Sequence, residues 1–298
     1  MRRRKPARSD PSEDLRLFDP PERIPLVGSG RGHAGLVVDD ELLWSRVVHL
    51  HSADKAYYVR RFAEIVATAM RGKFKGGVWW IELFCGPGRL FEKETGRFLP
   101  GSPLDALGIP RPFDGYVFAD VNQACVESLR RRVEGSNVYI LQGDANSADV
   151  HDRVAAIVPR NALVVLYADP EGLDLFWPTV KYFVDRYPRI DLLLNLPVSG
   201  AVRALAAGFS SKAGRVLDHT APHELLLGAN RGASVRDWYW RKLEAERFRY
   251  IDSVPINLRG TNRALYDLVV ASRHERAVEF FQESLGVGPA GQYALPVG

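Results

Sequence analysis

The sequence has only two cysteines and no long hydrophobic run, and each shortage excludes a class of protein. Cys85 and Cys125 have no CxxC or Cys/His spacing, so neither a disulfide framework nor a metal site is expected, and a cytoplasmic location is predicted. The longest apolar runs, such as 162–168, are far shorter than the roughly 18–20 residues of a membrane span. No apolar stretch follows the basic N-terminus, so no secretory signal is predicted. We expect a soluble protein that does not bind membranes.

The composition is that of an ordinary globular protein. The chain has 298 residues, of which 46% are hydrophobic, 26% charged and 10% aromatic. These values exclude a wholly disordered chain, a collagen-like repeat and a coiled coil. The length fits one large α/β domain or two small ones, and the sequence has neither an internal repeat nor a second domain boundary.

Positive charge is concentrated at the N-terminus. The net charge is +4, and the first nine residues carry five basic side chains and no acid, which leaves −1 for the rest. Residues 1–36, rich in proline and glycine, are predicted to form a flexible arm, and 37–298 the folded domain. The arm is either a solvated terminus or a segment that contacts phosphates with salt-dependent affinity.

Apolar strands and amphipathic helices alternate after residue 50. The first helix is predicted over 52–70, with Ser52 as its N-cap. Further helices are predicted over 123–133, 150–158 and 175–187, and strands over 78–84, 116–119, 138–141, 163–168 and 192–196. Continuous apolar strands separated by helices indicate a parallel sheet covered on both faces. A helical insertion is predicted over 201–246. The runs 248–258 and 265–271 are too close for a crossover, so an antiparallel hairpin precedes a last helix over 275–285.

The sharpest local signal is a Gly-x-Gly turn at the end of the first of these strands. Glu82 and Phe84 lead into Gly86 and Gly88, and glycines let the backbone approach a ligand closely. A dinucleotide site would have a third glycine at position 91, where Phe91 stands. The form E-x-F-x-G-x-G instead resembles motif I of S-adenosylmethionine (SAM) methyltransferases, in which the carboxylate meets the amino-acid end of SAM.

Two more acids follow the next two strands. Asp120 is placed to accept the ribose hydroxyls of SAM, and Asp144 is suited to the adenine amino group. Ligands of open α/β sheets bind at these carboxyl ends of strands. Each acid alone has a simpler interpretation as a helix N-cap. Three acids at three successive strand ends fit a SAM pocket better than three coincidental caps.

The fourth strand ends at the place where methyltransferases of exocyclic base amines carry a (D/N)-P-P-(Y/F) motif. Asp169 and Pro170 match it, whereas Glu171 and a glycine replace the second proline and the aromatic residue. Glu171 in this place is also a candidate general base. Stacking on a base would come from Phe176 or Trp177, which are otherwise ordinary core residues.

Three further features have both a functional and a structural interpretation. Asn195, after the fifth strand, either orients the substrate or satisfies the loop backbone. His51, Asp54 and Lys55 either hold a substrate phosphate or the SAM carboxylate, or are a solvated helix start. The arginines at 130–132 are expected to complement a helix dipole.

The whole set of motifs resembles the three-Cys-motif partner family over about residues 50–285. The resemblance implies the class I methyltransferase fold, SAM as cofactor, and a three-cysteine, radical-SAM-like iron–sulfur protein as partner. A Gly-Ser-Pro insert is also similar to large-subunit ribosomal RNA adenine-N6 methyltransferases, which implies a nucleic-acid substrate. The matching segments are 51–55, 82–88, 101–104, 120–122, 143–146, 169–172, 195–197, 265–268 and 271–274.

We therefore expect a SAM-dependent methyltransferase with a Rossmann-like, seven-stranded α/β fold, acting on a nucleic-acid base or nucleotide-like acceptor. The alternatives are a non-catalytic SAM- or nucleotide-binding partner subunit and a small-molecule methyltransferase of a biosynthetic pathway. The residues assigned to SAM are Glu82, Phe84, Cys85, Gly86, Gly88, Asp120, Asn122, Asp144 and Ala145. Those assigned to catalysis are Asp169, Pro170, Glu171 and Asn195, and those assigned to the substrate are His51, Lys55 and Ser102.

Overall fold

The computed structural model describes residues 35–49, 51–206, 231–257 and 264–286. The strands are β1 (Leu36–Val38), β2 (Trp44–Val48), β3 (Val78–Leu83), β4 (Arg89–Glu92), β5 (Arg97–Pro100), β6 (Gly115–Asp120), β7 (Val138–Gln142), β8 (Leu163–Ala168), β9 (Ile190–Leu196), β10 (Tyr250–Asn257) and β11 (Ala264–Ser272). The helices are α1 (His51–Met70), α2 (Ser102–Leu107), α3 (Gln123–Arg132), α4 (Ala148–Ile157), α5 (Trp177–Arg186), α6 (Val198–Ala206), α7 (Arg231–Ala245) and α8 (Glu275–Leu285).

Seven strands form one large sheet in the order β10-β11-β9-β8-β3-β6-β7. Strands β3, β6, β7, β8 and β9 are parallel to one another, and β11 is antiparallel to both β9 and β10. The predicted class I methyltransferase fold, with its parallel sheet and terminal antiparallel hairpin, is thereby confirmed. In the register of the sheet, Leu83 pairs with Ala119 and Ala168, so β3, β6 and β8 end at the same level.

Helices cover both faces of this sheet, as the apolar strands require. On one face α4, α5, α6 and α7 pack against alternate strand residues such as Ile81 and Leu166. On the other face α1, α2, α3 and α8 pack against the residues between them, such as Trp80 and Val165. The two apolar cores hold the central strands rigid, so the positions of the strand ends are fixed.

A second sheet of four short strands, in the order β1-β2-β4-β5, was not predicted. Its β4–β5 hairpin and α2 occupy the long stretch between the glycine turn and β6. Arg132 ties this sheet to the turn, because its Nη1 donates to the carbonyls of Trp44 and Pro87, each at 2.7 Å. Its Nη2 pairs with the fully buried Asp39. Burial alone would raise the pKa of Asp39, but hydrogen bonds from Ser45 and the backbone, with the charge of Arg132, lower it.

The element boundaries need few corrections. Helix α1 begins at His51, and the backbone N–H of Ser52 donates to the carbonyl of His49, so Ser52 lies in the first turn and is not the N-cap. Leu36, assigned to the arm, opens β1; residues 1–34 lie outside the described part. Of the predicted insertion, 201–206 and 231–245 are helical, and 207–230 lie outside the described residues. Within the described ranges, no helix is long and apolar enough to cross a membrane.

Candidate functional site

A cavity of about 770 Å³ lies at the carboxyl ends of the parallel strands. It is lined by most of the residues assigned to SAM, catalysis or substrate: Lys55, Phe84, Cys85, Gly86, Gly88, Ser102, Asp120, Asn122, Asp144, Ala145, Asp169, Pro170, Glu171 and Asn195. The side chain of His51 lies outside the described part of the chain, and Glu82 lies below the cavity wall. The fold therefore brings together side chains that are far apart in the sequence.

The turn after β3 holds three residues at positive φ: Phe84 at 66°, Gly86 at 65° and Gly88 at 84°. A Cβ on Gly86 would meet no heavy atom within 4 Å, so this glycine borders the open cavity. A Cβ on Gly88 would lie 2.7 Å from Leu129 Cδ1, so this glycine is required by packing against α3. A left-handed conformation costs a non-glycine residue such as Phe84 roughly 1–2 kcal/mol. Strain of this kind occurs at ligand-binding turns.

Glu82 supports the cavity from below. Its carboxyl is fully buried, with Oε1 accepting a hydrogen bond from Ser102 Oγ at 2.5 Å and Oε2 one from Trp80 Nε1 at 3.1 Å. Burial raises the pKa of Glu82 to about 8, although both hydrogen bonds act to lower it. The contact between Glu82 and the amino-acid end of SAM stays a prediction, and both oxygens of this carboxyl are engaged by protein donors. This carboxyl holds Ser102, and it is Ser102 that borders the cavity.

Asp120 organises the turn around the cavity. Its Oδ2 accepts the backbone N–H of Gly86 and its Oδ1 that of Asn122, both at 2.8 Å. The cap of α3 is Asn122, whose Oδ1 accepts from Ala124 N at 2.9 Å, so the capping interpretation of Asp120 is wrong. Val121 is 65% exposed and lines the cavity beside this carboxylate. An apolar surface thus lies next to hydrogen-bond acceptors.

Asp144 lies at the exposed rim, after β7. Its Oδ1 accepts the backbone N–H of Asn146 at 2.9 Å, whereas the cap of α4 is Ser147, so Asp144 does not cap the helix either. The carbonyl of the buried Ala145 accepts from His151 Nε2 at 2.8 Å. Burial lowers the pKa of His151. The hydrogen bond from His151 fixes this loop, and the hydrogen bond from Asn146 fixes the Asp144 carboxylate at the edge of the cavity.

Asp169 is the centre of a hydrogen-bonded cluster at the opposite end of the cavity. Lys55, from α1, pairs with its Oδ2, and Tyr167 donates to the same oxygen at 3.3 Å. Asn195 Nδ2 donates to its Oδ1 at 2.7 Å. Burial, with the negative charge of neighbouring Asp169 and Glu82, raises the pKa of Tyr167 well above its usual value, so the phenol remains a donor. The carboxylate of Asp169 is thus positioned by residues of α1, β8 and β9.

Glu171 lies further out on the same loop. Its side chain is 68% exposed and pairs with Arg46 of β2, so the pair joins the small sheet to the loop after β8. This ion pair engages the carboxylate that was considered as a general base. Of the two candidate stacking residues, Phe176 lines the cavity, whereas Trp177 is buried against Tyr239 and belongs to the core.

Sequence reasoning missed several residues of the cavity wall. Arg46 lies on β2 and His49 follows this strand, which was not predicted from the sequence. Tyr266 of β11 lies with its ring 5.2 Å from Lys55 Nζ. Tyr167 and Val121 lie close in the sequence to predicted site residues, but no sequence pattern distinguishes them from their apolar neighbours. The late Leu-Tyr-Asp-Leu segment was noted as a motif, and it is this segment that brings Tyr266 to the site.

The described part of the cavity wall carries more negative than positive charge. Five carboxylates line it, those of Asp120, Asp144, Asp169, Glu171 and Asp174, against the cations of Lys55 and Arg46. Both cations are already paired with carboxylates of the wall. No group of three or more His, Cys, Asp or Glu side chains suited to a metal ion occurs in the described residues. The cavity therefore favours a ligand that is neutral or positively charged.

No protein-family model and no curated protein matches the sequence. An O-methyltransferase from Bacillus cereus in complex with S-adenosylhomocysteine (SAH) is similar in structure, with a TM-score of 0.43 and 11% identity over 72% of this chain and 80% of that one. TomG from Streptomyces achromogenes, an O-methyltransferase involved in tomaymycin synthesis solved with SAM, has a TM-score of 0.42, 14% identity and coverages of 76% and 90%. Protein LPL1258 from Legionella pneumophila has a TM-score of 0.47, 11% identity and coverages of 77% and 91%. Identities and TM-scores this low carry no conclusion about the activity of this chain.

Proposed function

We propose that the chain is a SAM-dependent methyltransferase whose cofactor lies in the cavity above Gly86. The observation that supports this most directly is the open space over Gly86, bordered by the Asp120 carboxylate. Gly86 has no side chain to separate the backbone from the cavity, and its N–H is fixed by the Asp120 carboxylate. A ligand can therefore approach the backbone closely at this turn. The position at the carboxyl ends of the strands is the general ligand site of open α/β sheets.

The residues present fit the adenosine part of SAM and its net positive charge. Val121 offers an exposed apolar surface for the adenine ring, and the lone pairs that remain on Asp120 are suited to ribose hydroxyls. Asp144 at the rim is an acceptor for the adenine amino group. SAM carries a sulfonium and an ammonium group against one carboxylate, and the surplus of carboxylates in the wall favours that net positive charge.

The acceptor end of the cavity is the cluster around Asp169. SAM, when bound, supplies an electrophilic methyl group. The chain then has to hold the acceptor in line and take up its proton. Asp169 is suited to both tasks, because Lys55, Tyr167 and Asn195 fix its carboxylate while one lone pair of Oδ1 remains for the substrate.

The sequence predicts a nucleic-acid base or nucleotide-like acceptor, but the charge of the cavity supports the small-molecule alternative. A phosphate would meet five carboxylates and two cations that already have partners. We therefore propose a small neutral or cationic acceptor. Nucleic acid is the second candidate, supported by the five basic residues among the first nine. The three-Cys iron–sulfur partner and the cytoplasmic location remain predictions.

Methyl-labelled SAM tests the two acceptors directly. The protein is incubated with a small-molecule extract and, separately, with total RNA and DNA, and label is measured in each fraction. We expect label in small molecules, unchanged by deletion of residues 1–9. Label in nucleic acid that falls with salt and with this deletion would favour the second candidate. Label in neither fraction, despite SAM binding, would support the non-catalytic subunit.

A further inference from the structure

One buried acceptor atom at the acceptor end has no partner among the described residues. The side chain of Asn195 donates through Nδ2 to Asp169 Oδ1 at 2.7 Å. Turning the amide over would bring its oxygen to that distance from a carboxylate oxygen, so the amide orientation is fixed by Asp169. Its Oδ1 then points away, is buried, and accepts no hydrogen bond from any residue in the described part of the chain.

An unpaired carbonyl in this place calls for a donor. Buried polar atoms without partners are rare in native proteins because their desolvation is not repaid. Asn195 as a whole is only 6% exposed and belongs to the wall of the cavity. Its neighbour Asp169 Oδ1 also keeps one free lone pair after accepting from Asn195. Two acceptor oxygens with unused lone pairs therefore lie on adjacent side chains of the wall, and one bound group that reaches both would satisfy them.

We propose that Asn195 Oδ1 and Asp169 Oδ1 together recognise the N–H groups of the methyl acceptor, so that the substrate is an amine, an amidine or an amino-substituted ring and the methyl is transferred to nitrogen. This inference rests on the proposed function. An amino group has one hydrogen for each oxygen. A hydroxyl has a single hydrogen and leaves one of the oxygens unpaired. A carboxylate or a phosphate has none and is repelled by Asp169.

The transfer is balanced without any further reactant. The acceptor nitrogen forms a bond to the methyl carbon while the carbon–sulfur bond breaks, and the electron pair of that bond stays on sulfur. The nitrogen loses the proton that was hydrogen-bonded to Asp169 Oδ1, and this carboxylate passes it to water. Asn195 keeps its hydrogen bond to the other N–H throughout and sets the direction of the nitrogen lone pair.

Three fragments with one ring test this inference: aniline, phenol and benzoate. Their binding to the wild-type protein saturated with SAH is measured by ligand-observed NMR. We expect aniline to bind at least about tenfold more tightly than phenol, and benzoate to bind weakest. Equal binding of the three, a preference for phenol or benzoate, or no binding of any would overturn the inference, because two acceptor oxygens at an open cavity should bind the two N–H donors of aniline.

A variant assigns the preference to one atom. In Asn195→Leu the aniline affinity should fall about tenfold to the level of phenol, while SAH affinity stays unchanged. Asn137→Leu is the control, because within the described ranges the side chain of Asn137 donates only to the carbonyl of Asp114, at the other end of the sheet. An unchanged aniline affinity in Asn195→Leu would mean that water satisfies the oxygen, and the inference fails. If wild type binds no SAH, the proposed function fails instead, and the fragment ranking without SAH still tests the site.

Discussion

Replacing Gly86 by alanine adds a methyl group at a backbone φ of 65° and points it into the cavity. The left-handed conformation costs alanine about 1 kcal/mol in the folded protein. The Cβ itself meets no protein atom within 4 Å, so this backbone term is the whole expected loss of stability. It corresponds to a decrease of about 2 °C in the melting temperature.

The same methyl group occupies the space assigned to SAM. Overpacking a fitted site costs about 1–3 kcal/mol, which is roughly a 10- to 100-fold increase in the Kd for SAH. Gly72→Ala is a matched control. Gly72 has a φ of 70°, is exposed, and likewise has no atom near its Cβ, but it lies outside the cavity. Both variants should lose the same stability, and only Gly86→Ala should lose affinity.

Thermal unfolding with and without SAH measures both effects in one experiment. At a concentration a hundred times its Kd, SAH stabilises the native protein by about 2.7 kcal/mol, which raises the melting temperature by roughly 5 °C. Wild type and Gly72→Ala should show this increase in full. Gly86→Ala should show an increase below about 3 °C at the same concentration. A full increase in Gly86→Ala would refute the placement of SAM above this glycine.

The remaining predictions concern transfer, pH and the support of the turn. Asp169→Asn should leave SAH affinity within about twofold and slow methyl transfer by about a hundredfold or more, measured with labelled SAM; an undiminished rate would remove its proton-accepting role. Burial raises the pKa of Glu82 from 4.5 to about 8, so the native state holds its proton more tightly than the unfolded chain. Its stabilising contribution is complete below about 4.5 and is lost as the pH rises through about 8. Glu82→Gln should flatten this decline in urea unfolding, whereas the exposed Glu127→Gln should keep it; identical pH profiles would contradict the assignment. Arg132→Met should lower the free energy of unfolding by about 3 kcal/mol because the buried Asp39 carboxylate loses its main cation and keeps hydrogen bonds from Ser45 and the backbone and a longer contact with Arg89. The exposed Arg131→Met should change it by less than about 0.5 kcal/mol, and equal losses would rule out the buried network.

The large sheet could be predicted because each of its elements has a local signal. Its parallel strands are continuous apolar runs, since both faces are buried, and the helices between them have a regular apolar stripe. The acids and glycines at the strand ends interrupt these runs abruptly. Because the ends of parallel strands meet at one edge of a sheet, Gly86, Asp120 and Asp169 could be assigned to one site without a structure.

The small sheet could not be predicted, and the errors at the site follow from this. Its strands have three to five residues each and are only partly buried, so they lack a periodic pattern. Arg46 on β2 was therefore missed, together with its pair to Glu171. The role of Glu82 also depends on a distant residue, Ser102, which α2 brings over it. Contacts between segments of this kind leave no trace in local sequence.

Calorimetric titration of the purified protein with SAM and with SAH tests the central claim most directly. The cavity above Gly86 is open, and the carboxylate of Asp120 is held by two backbone N–H groups. We therefore expect one molecule of either ligand to bind per chain, and Asp120→Ala to abolish binding because it releases the turn. Binding that survives in Asp120→Ala, or no binding to the wild-type protein, would contradict the proposal that this cavity is a SAM site.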